Sequence, residues 1–172
     1  MMDADDMQKV SKWLSGGKNI LLYTGNPGCG KTYFCAAIIN YCWPRFESCR
    51  CWTEKKLMEH LRAGIAEGHD YTRALSHMVD DEFMIYDDLG STGFSEWRKE
   101  VIFELIDARY GSMKPTIVTS NLTYTEISSI YHERVWSRLG AAENTRIIGK
   151  QIDHRGSGGI EELIKRRKID DR

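Results

Sequence analysis

Residues 25–32 read Gly-Asn-Pro-Gly-Cys-Gly-Lys-Thr, a complete phosphate-binding loop whose flanks constrain the fold as much as its pattern does. The apolar run Asn19-Ile20-Leu21-Leu22-Tyr23-Thr24 predicts a strand before it, and Tyr33 to Tyr41 predicts a helix after it. A strand feeding a glycine-rich turn into a helix N-terminus aims successive backbone N–H groups at one point. Gly25, Gly28 and Gly30 permit the turn and the close approach of a phosphate, with Asn26, Pro27, Cys29 and Tyr33 completing the lining. Lys31 reaches the outer phosphates as a point charge, and the Thr32 hydroxyl is a candidate Mg²⁺ ligand. The expectation is a nucleoside triphosphate site, with ATP and Mg²⁺ as its occupants.

At 172 residues the chain is long enough for one domain with one buried core, and a single domain over 1–172 is expected. Its parts are an N-terminal helix at 3–15, a core at 19–155 and a tail at 156–172. A hydrophobic fraction of 41% with 28% charged residues is that of a soluble globular protein, and no apolar run approaches membrane-spanning length. The acidic start, Met1-Met2-Asp3-Ala4-Asp5-Asp6, lacks the apolar centre of a secretory signal. Five cysteines, an odd number, read as reduced thiols in a cytoplasmic protein, and Cys49-Arg50-Cys51 lacks a second ligand pair for zinc. A net charge of −1 gives no global attraction to nucleic acid, so any DNA contact must be a local patch. The basic run Lys165-Arg166-Arg167-Lys168 reads as a solvated tail.

Helical spacing of Met7, Val10 and Leu14 predicts a first helix over Asp3–Leu14. After the loop helix, with Phe34, Ala37, Ile38 and Tyr41 as its face, Phe46 to Thr53 reads as a second strand. Thr53 or Glu54 opens a helix bearing Leu57, Met58, Leu61 and Ile65, and Asp70 caps another through Met78. Phe83 to Asp87 is a buried central strand. Ser95 caps a helix whose Trp97, Val101, Leu105 and Ile106 face inward, Thr116 to Thr119 is a strand, and Tyr124 to Leu139 is mostly helical. Arg146 to Ile152 is the last strand. Trp43 and Trp52 read as packing residues. Strands alternating with helices give an α/β fold, a P-loop architecture with an open, parallel, five-stranded sheet flanked by helices.

Three further segments carry chemistry. Phe83-Met84-Ile85-Tyr86-Asp87-Asp88 is a strand ending in two acids, the pattern that holds Mg²⁺ beside a phosphate loop. Asp87 is the metal-site residue, directly or through water, and Asp88 can orient or deprotonate an attacking water. Thr116 to Asn121 runs a strand into polar residues at the ligand edge of a doubly wound sheet. Asn121 there can position water or touch the γ-phosphate, or serve only as a turn residue. Arg134 and Arg138 are four apart and share a helix face. An exposed arginine can complete a phosphate site on a neighbouring subunit, or simply pair with Glu133 or lie in solvent.

In this order and spacing the segments resemble the AAA+ ATPases, and more narrowly the DnaC-like helicase loaders and the related IstB transposition ATPases. The resemblance rests on Gly25–Thr32, Met84–Gly90, Asp107-Ala108-Arg109, Lys114-Pro115-Thr116, Thr119-Ser120-Asn121, Glu133-Arg134-Val135 with Arg138, and Asp153-His154-Arg155. It implies that Lys31 and Thr32 are Walker A residues, Asp87 and Asp88 the Walker B pair, and Asn121 sensor 1. Arg138 would be an arginine finger with Arg134 beside it, making self-association ATP-dependent, and Arg155 would sit at sensor 2. Single-stranded DNA would lie along Thr53–Met78 and Ser91–Glu100, which offer Lys56, Arg62, Trp97, Arg98 and Lys99. A replicative helicase or a transposase is the implied protein partner.

Two departures accompany the resemblance. About eighteen residues precede the first strand, where helicase loaders carry a helicase-gripping extension, and about twenty follow Ile152, enough for at most one lid helix. Two other readings compete: a small P-loop kinase, which needs an acceptor site and a closing lid, and a non-catalytic ATP-dependent switch, against which the Asp88 carboxylate argues.

Overall fold

A computed structural model describes residues 2–16, 19–68 and 70–149. Its centre is a sheet of five strands: β1 (Ile20–Gly25), β2 (Cys49–Thr53), β3 (Phe83–Leu89), β4 (Thr116–Ser120) and β5 (Thr145–Gly149). All are parallel, in the spatial order β2-β3-β4-β1-β5. The helices are α1 (Ala4–Gly16), α2 (Lys31–Cys42), α3 (Glu54–Ala66), α4 (Tyr71–Asp80), α5 (Glu96–Gly111), α6 (Tyr124–Ile130) and α7 (His132–Leu139). The predicted parallel α/β sheet is therefore present. Arg155, the tail at 156–172 and the end of the expected last strand at 150–152 lie outside the described residues.

Strand side chains alternate between two apolar layers, as a sheet covered on both faces requires. Leu21, Tyr23, Phe83, Ile85, Ile117 and Ile147 pack beneath α1 and α2. Ile20, Leu22, Met84, Tyr86 and Val118 pack beneath the helices α3 to α7. Thr53, Asp70, Ser95 and Thr123 each cap the following helix by accepting a backbone N–H, and Thr123 forms a reciprocal capping box with Glu126.

Several local expectations are corrected. α1 buries Asp6, Val10 and Trp13, and Met7 is 58% exposed. α2 buries Lys31, Cys35, Ile38 and Cys42, one position round from the expected face, because Cys35, Ile38 and Cys42 are the positions that meet the sheet layer of Leu21, Tyr23 and Ile85. Tyr41, Trp43 and Ile65 are exposed, so Trp43 is not a packing residue. Phe46 lies outside β2 and stacks against Phe83 at 5.1 Å between ring centres. Trp97 is 38% exposed, since the inward stripe of α5 begins at Val101. The span from Tyr124 to Leu139 breaks at Tyr131 into two helices.

Arg109, in the family-like segment Asp107-Ala108-Arg109, is fully buried. Its guanidinium donates to Thr116 Oγ1 and to the carbonyls of Met78, Val79, Asp81 and Pro115. It thereby ties α4, α5 and the start of β4 at the amino edge of the sheet. Burial pushes its pKa down to about 10, against the pull of Asp81, so it stays charged at neutral pH.

Candidate functional site

The strand order places β4 between β3 and β1, so the ends of these strands bring residues 25–32, 87–88 and 121 together at the carboxyl edge. This is the ligand edge of an open α/β sheet. In the loop, Gly30 holds φ +98° at the N-cap of α2, a conformation that L side chains rarely adopt. A Cβ on Gly25 would lie 2.9 Å from Cys29 Sγ and 3.1 Å from the Gly149 backbone. Cys29 itself is buried, with its Sγ 3.5 Å from Lys31 Nζ and its carbonyl accepting from the Tyr23 hydroxyl at 3.2 Å. Asn26, Pro27 and Tyr33 are exposed around the mouth.

Lys31 is buried, with its Nζ donating to Gly25 O at 2.6 Å and Asn26 O at 3.1 Å. The ammonium thus sits inside the curve of the loop, where negative charge would be drawn. Thr32 Oγ1 lies 3.5 Å from Asp87 Oδ2. A hydroxyl and a carboxylate at this spacing are hard oxygen donors suited to Mg²⁺, so the residues present fit that ion. Asp87 Oδ1 is engaged elsewhere: it accepts from Thr119 Oγ1 at 2.6 Å and faces the Cys35 thiol at 3.5 Å. Burial, and then Asp87, pushes the Cys35 thiol far up, which keeps it protonated as a donor.

Asp88 is in the left-handed region at φ +68°. Its carboxylate accepts from Asn121 Nδ2 at 2.6 Å, and its N–H donates to Thr119 Oγ1 at 2.9 Å. The chain then turns through Gly90, where a Cβ would meet Leu122 at 2.5 Å. Glu54, fully buried at the start of α3, accepts from Gly90 N–H at 2.8 Å and from the Thr92 hydroxyl. Burial, and next the Glu54 charge, raises the pKa of both Tyr86 and Tyr131. Thr119, Cys35 and Glu54 are not among the site residues expected from the sequence, where Glu54 is only a candidate helix start and Thr119 the end of a strand. A threonine closing an apolar central strand was the one visible signal.

The two arginines of α7 share a face as expected, and both guanidinium groups reach residues of α5. Arg134 lies 4.0 Å over the Phe103 ring. Arg138 Nε donates to Asp107 Oδ1 at 2.6 Å, with its guanidinium 5.4 Å from the Tyr110 ring centre. Arg138 belongs to the opposite edge of the sheet. Asn144 accepts from Ile20 N–H at the start of β1 and donates to Arg138 O. The length of β1, roughly 16 Å at strand rise, separates that end from the chain's own phosphate loop.

Among the basic candidates for DNA, Arg62 and Trp97 meet, with the guanidinium 5.6 Å from the ring centre. Lys56 is exposed in the first turn of α3. Arg98 donates to Gly93 O at 2.8 Å, and Lys99 pairs with Glu96 at 2.7 Å. Arg62, Trp97, Arg98 and Lys99 are thus partly engaged within the fold.

A parallel sheet with a glycine-rich loop after β1, paired acids ending β3 and an asparagine after β4 has the P-loop fold of an AAA+ core. The model of the IstB-like ATP binding proteins matches residues 4–142, and the chain belongs to that family. The replicative helicase loader DnaC of Escherichia coli (strain K12) is 25% identical over 128 residues, which span 74% of this chain and 52% of the loader. DnaC of Buchnera aphidicola subsp. Baizongia pistaciae (strain Bp) is 28% identical over 120 residues, 69% of this chain and 49% of the relative. The chain therefore spans about half the length of the curated relatives it matches. A crystal structure of the DnaC helicase loader superimposes with a TM-score of 0.74 at 24% identity, covering 85% of this chain and 89% of that one. The replication initiator DnaA bound to AMPPCP and single-stranded DNA gives 0.75 at 15% identity, covering 97% and 51%. These two likenesses establish the shared fold.

Proposed function

We propose that this chain binds ATP with Mg²⁺, hydrolyses it, and acts on single-stranded DNA as a DnaC-like loading or accessory ATPase in replication. The observation that carries the reading is the meeting of Lys31, Thr32, Asp87, Asp88 and Asn121 at one sheet edge, with Asn121 hydrogen-bonded to Asp88. Backbone N–H groups of residues 28–32 and the Lys31 ammonium bind the phosphates. Thr32 and Asp87 hold Mg²⁺, which when bound neutralises charge on the outer phosphates. Asp88 takes the proton of the attacking water, and Asn121 holds that carboxylate in position. Arg138 acts on the nucleotide of a neighbouring copy, which makes association ATP-dependent.

Arg62 and Trp97 form the centre of the DNA surface, a guanidinium for phosphate beside an exposed ring for base stacking, with Lys56, Arg98 and Lys99 around it. A replicative helicase is the proposed protein partner. Four buried free thiols suit the reducing cytoplasm, and no described helix is long and apolar enough to cross a membrane.

The test is phosphate release from MgATP with no acceptor present, with and without single-stranded DNA, beside anisotropy of a labelled oligonucleotide at two salt concentrations. Acceptor-free release is expected, with single-strand binding that weakens steeply as salt rises. Absence of acceptor-free release would overturn the ATPase reading, and absence of single-strand binding at low salt with ATP present would overturn the DNA reading.

A further inference from the structure

The register of β3 against β4 shifts inside the candidate site. Tyr86 is opposite Val118 and Leu89 is opposite Ser120. Two residues on β3, Asp87 and Asp88, therefore face one residue on β4, Thr119. This is a β-bulge, in which the extra residue leaves the backbone ladder incomplete and the strand bends. Asp88 takes up the distortion at φ +68°.

One hydroxyl repairs the gap. Thr119 is fully buried. Its Oγ1 accepts the N–H of Asp88 at 2.9 Å and gives its own proton to Asp87 Oδ1 at 2.6 Å. Both functions of the hydroxyl are used, one on each acid. The bond to Oδ1, with the Cys35 thiol on the same oxygen, leaves Oδ2 as the Asp87 oxygen nearest Thr32. The bond to the amide holds the bulged backbone that presents the Asp88 carboxylate to Asn121. The next residue of β4 completes the arrangement, with Ser120 Oγ donating to Leu89 O at 2.7 Å.

We infer that Thr119 is a positioning residue for both acids: it selects which Asp87 oxygen faces the cation and holds the bulge that aims Asp88. The inference rests on the MgATP reading of the site. It distinguishes Thr119 from an ordinary buried core residue, because removal of the hydroxyl should alter the Mg²⁺ dependence of nucleotide binding rather than stability alone.

The experiment compares wild type, Thr119→Val, Thr119→Ala and Thr119→Ser. ATP affinity is measured by calorimetry with Mg²⁺ and with a chelator, and backbone hydrogen exchange is followed over residues 86–90. Thr119→Val keeps the shape and loses both bonds, Thr119→Ala serves if valine packs too poorly to fold, and Thr119→Ser keeps the hydroxyl. In Val or Ala the gain in affinity on adding Mg²⁺ should shrink by roughly tenfold or more, the effect of one hydrogen bond to a charged group. Affinity in chelator should hold, and exchange should rise at 86–90 while β1 stays protected. Thr119→Ser should restore both. An unchanged Mg²⁺ gain in folded Val or Ala, with wild type showing one, would overturn this inference alone. A wild-type protein whose ATP binding ignores Mg²⁺ would overturn the site reading and this inference with it.

Discussion

The side-chain amide of Asn121 donates to the carboxylate of Asp88 across 2.6 Å, joining the ends of two neighbouring parallel strands at the ligand edge of the sheet. A carboxylate so held keeps one direction toward incoming water. Asp88→Asn should retain ATP binding and lose turnover by about 10² or more, the usual contribution of a positioned general base. Asn121→Ala should lower turnover with little change in affinity, because it frees the carboxylate without removing it. Phosphate release and calorimetry on the same preparations separate the two effects. Loss of ATP binding in either variant would contradict these roles.

Lys31 places its ammonium on the carbonyls of Gly25 and Asn26 within the loop. Lys31→Ala removes the cation meant for the outer phosphates and should weaken ATP binding strongly while the fold persists. For wild type, ATP at 100 times its Kd should add about 2.7 kcal/mol of stability by mass action. Thermal melts with and without MgATP read this directly. No shift for wild type would refute nucleotide binding at this loop.

Arg138 stands at the far end of β1 from the phosphate loop, paired with Asp107. Arg138→Ala should keep near-normal ATP affinity and lose both hydrolysis and ATP-dependent association. Mixed with Asp88→Asn protein it should regain part of the activity, since some interfaces then unite an intact site with an intact finger. Arg134→Ala should be milder, because its guanidinium lies over Phe103. Normal hydrolysis by Arg138→Ala at high protein concentration would exclude a finger role.

Asp81 is buried, and its partner Arg50 lies 3.4 Å away. Burial raises its pKa above the ordinary 3.8, and Arg50 offsets this only in part. The folded chain therefore keeps a proton that the unfolded chain has already lost, and stability falls as pH rises through that interval. Asp81→Asn removes this ionisation. Its melting temperature relative to wild type should rise between pH 4 and pH 7, and a difference independent of pH would contradict the assignment.

What the sequence by itself determined was the order of the chemistry. The loop 25–32, the acids at 87 and 88 and the asparagine at 121 each follow an apolar strand pattern, and a parallel sheet carries all such strand ends to one edge. Caps at Thr53, Asp70 and Ser95 were equally legible, because capping is local. Tertiary structure decided the rest. The rotation of α2, the exposure of Trp43 and Trp97 and the break at Tyr131 depend on what each segment packs against. The burial of Arg109 among carbonyls from two other segments has no signature in its own neighbourhood. The roles of Thr119 and Glu54 exist only because a bulge sets two acids against one threonine and a turn returns Gly90 to the start of α3. A one-residue slip between neighbouring strands changes every such pairing, and register is set by the packed sheet.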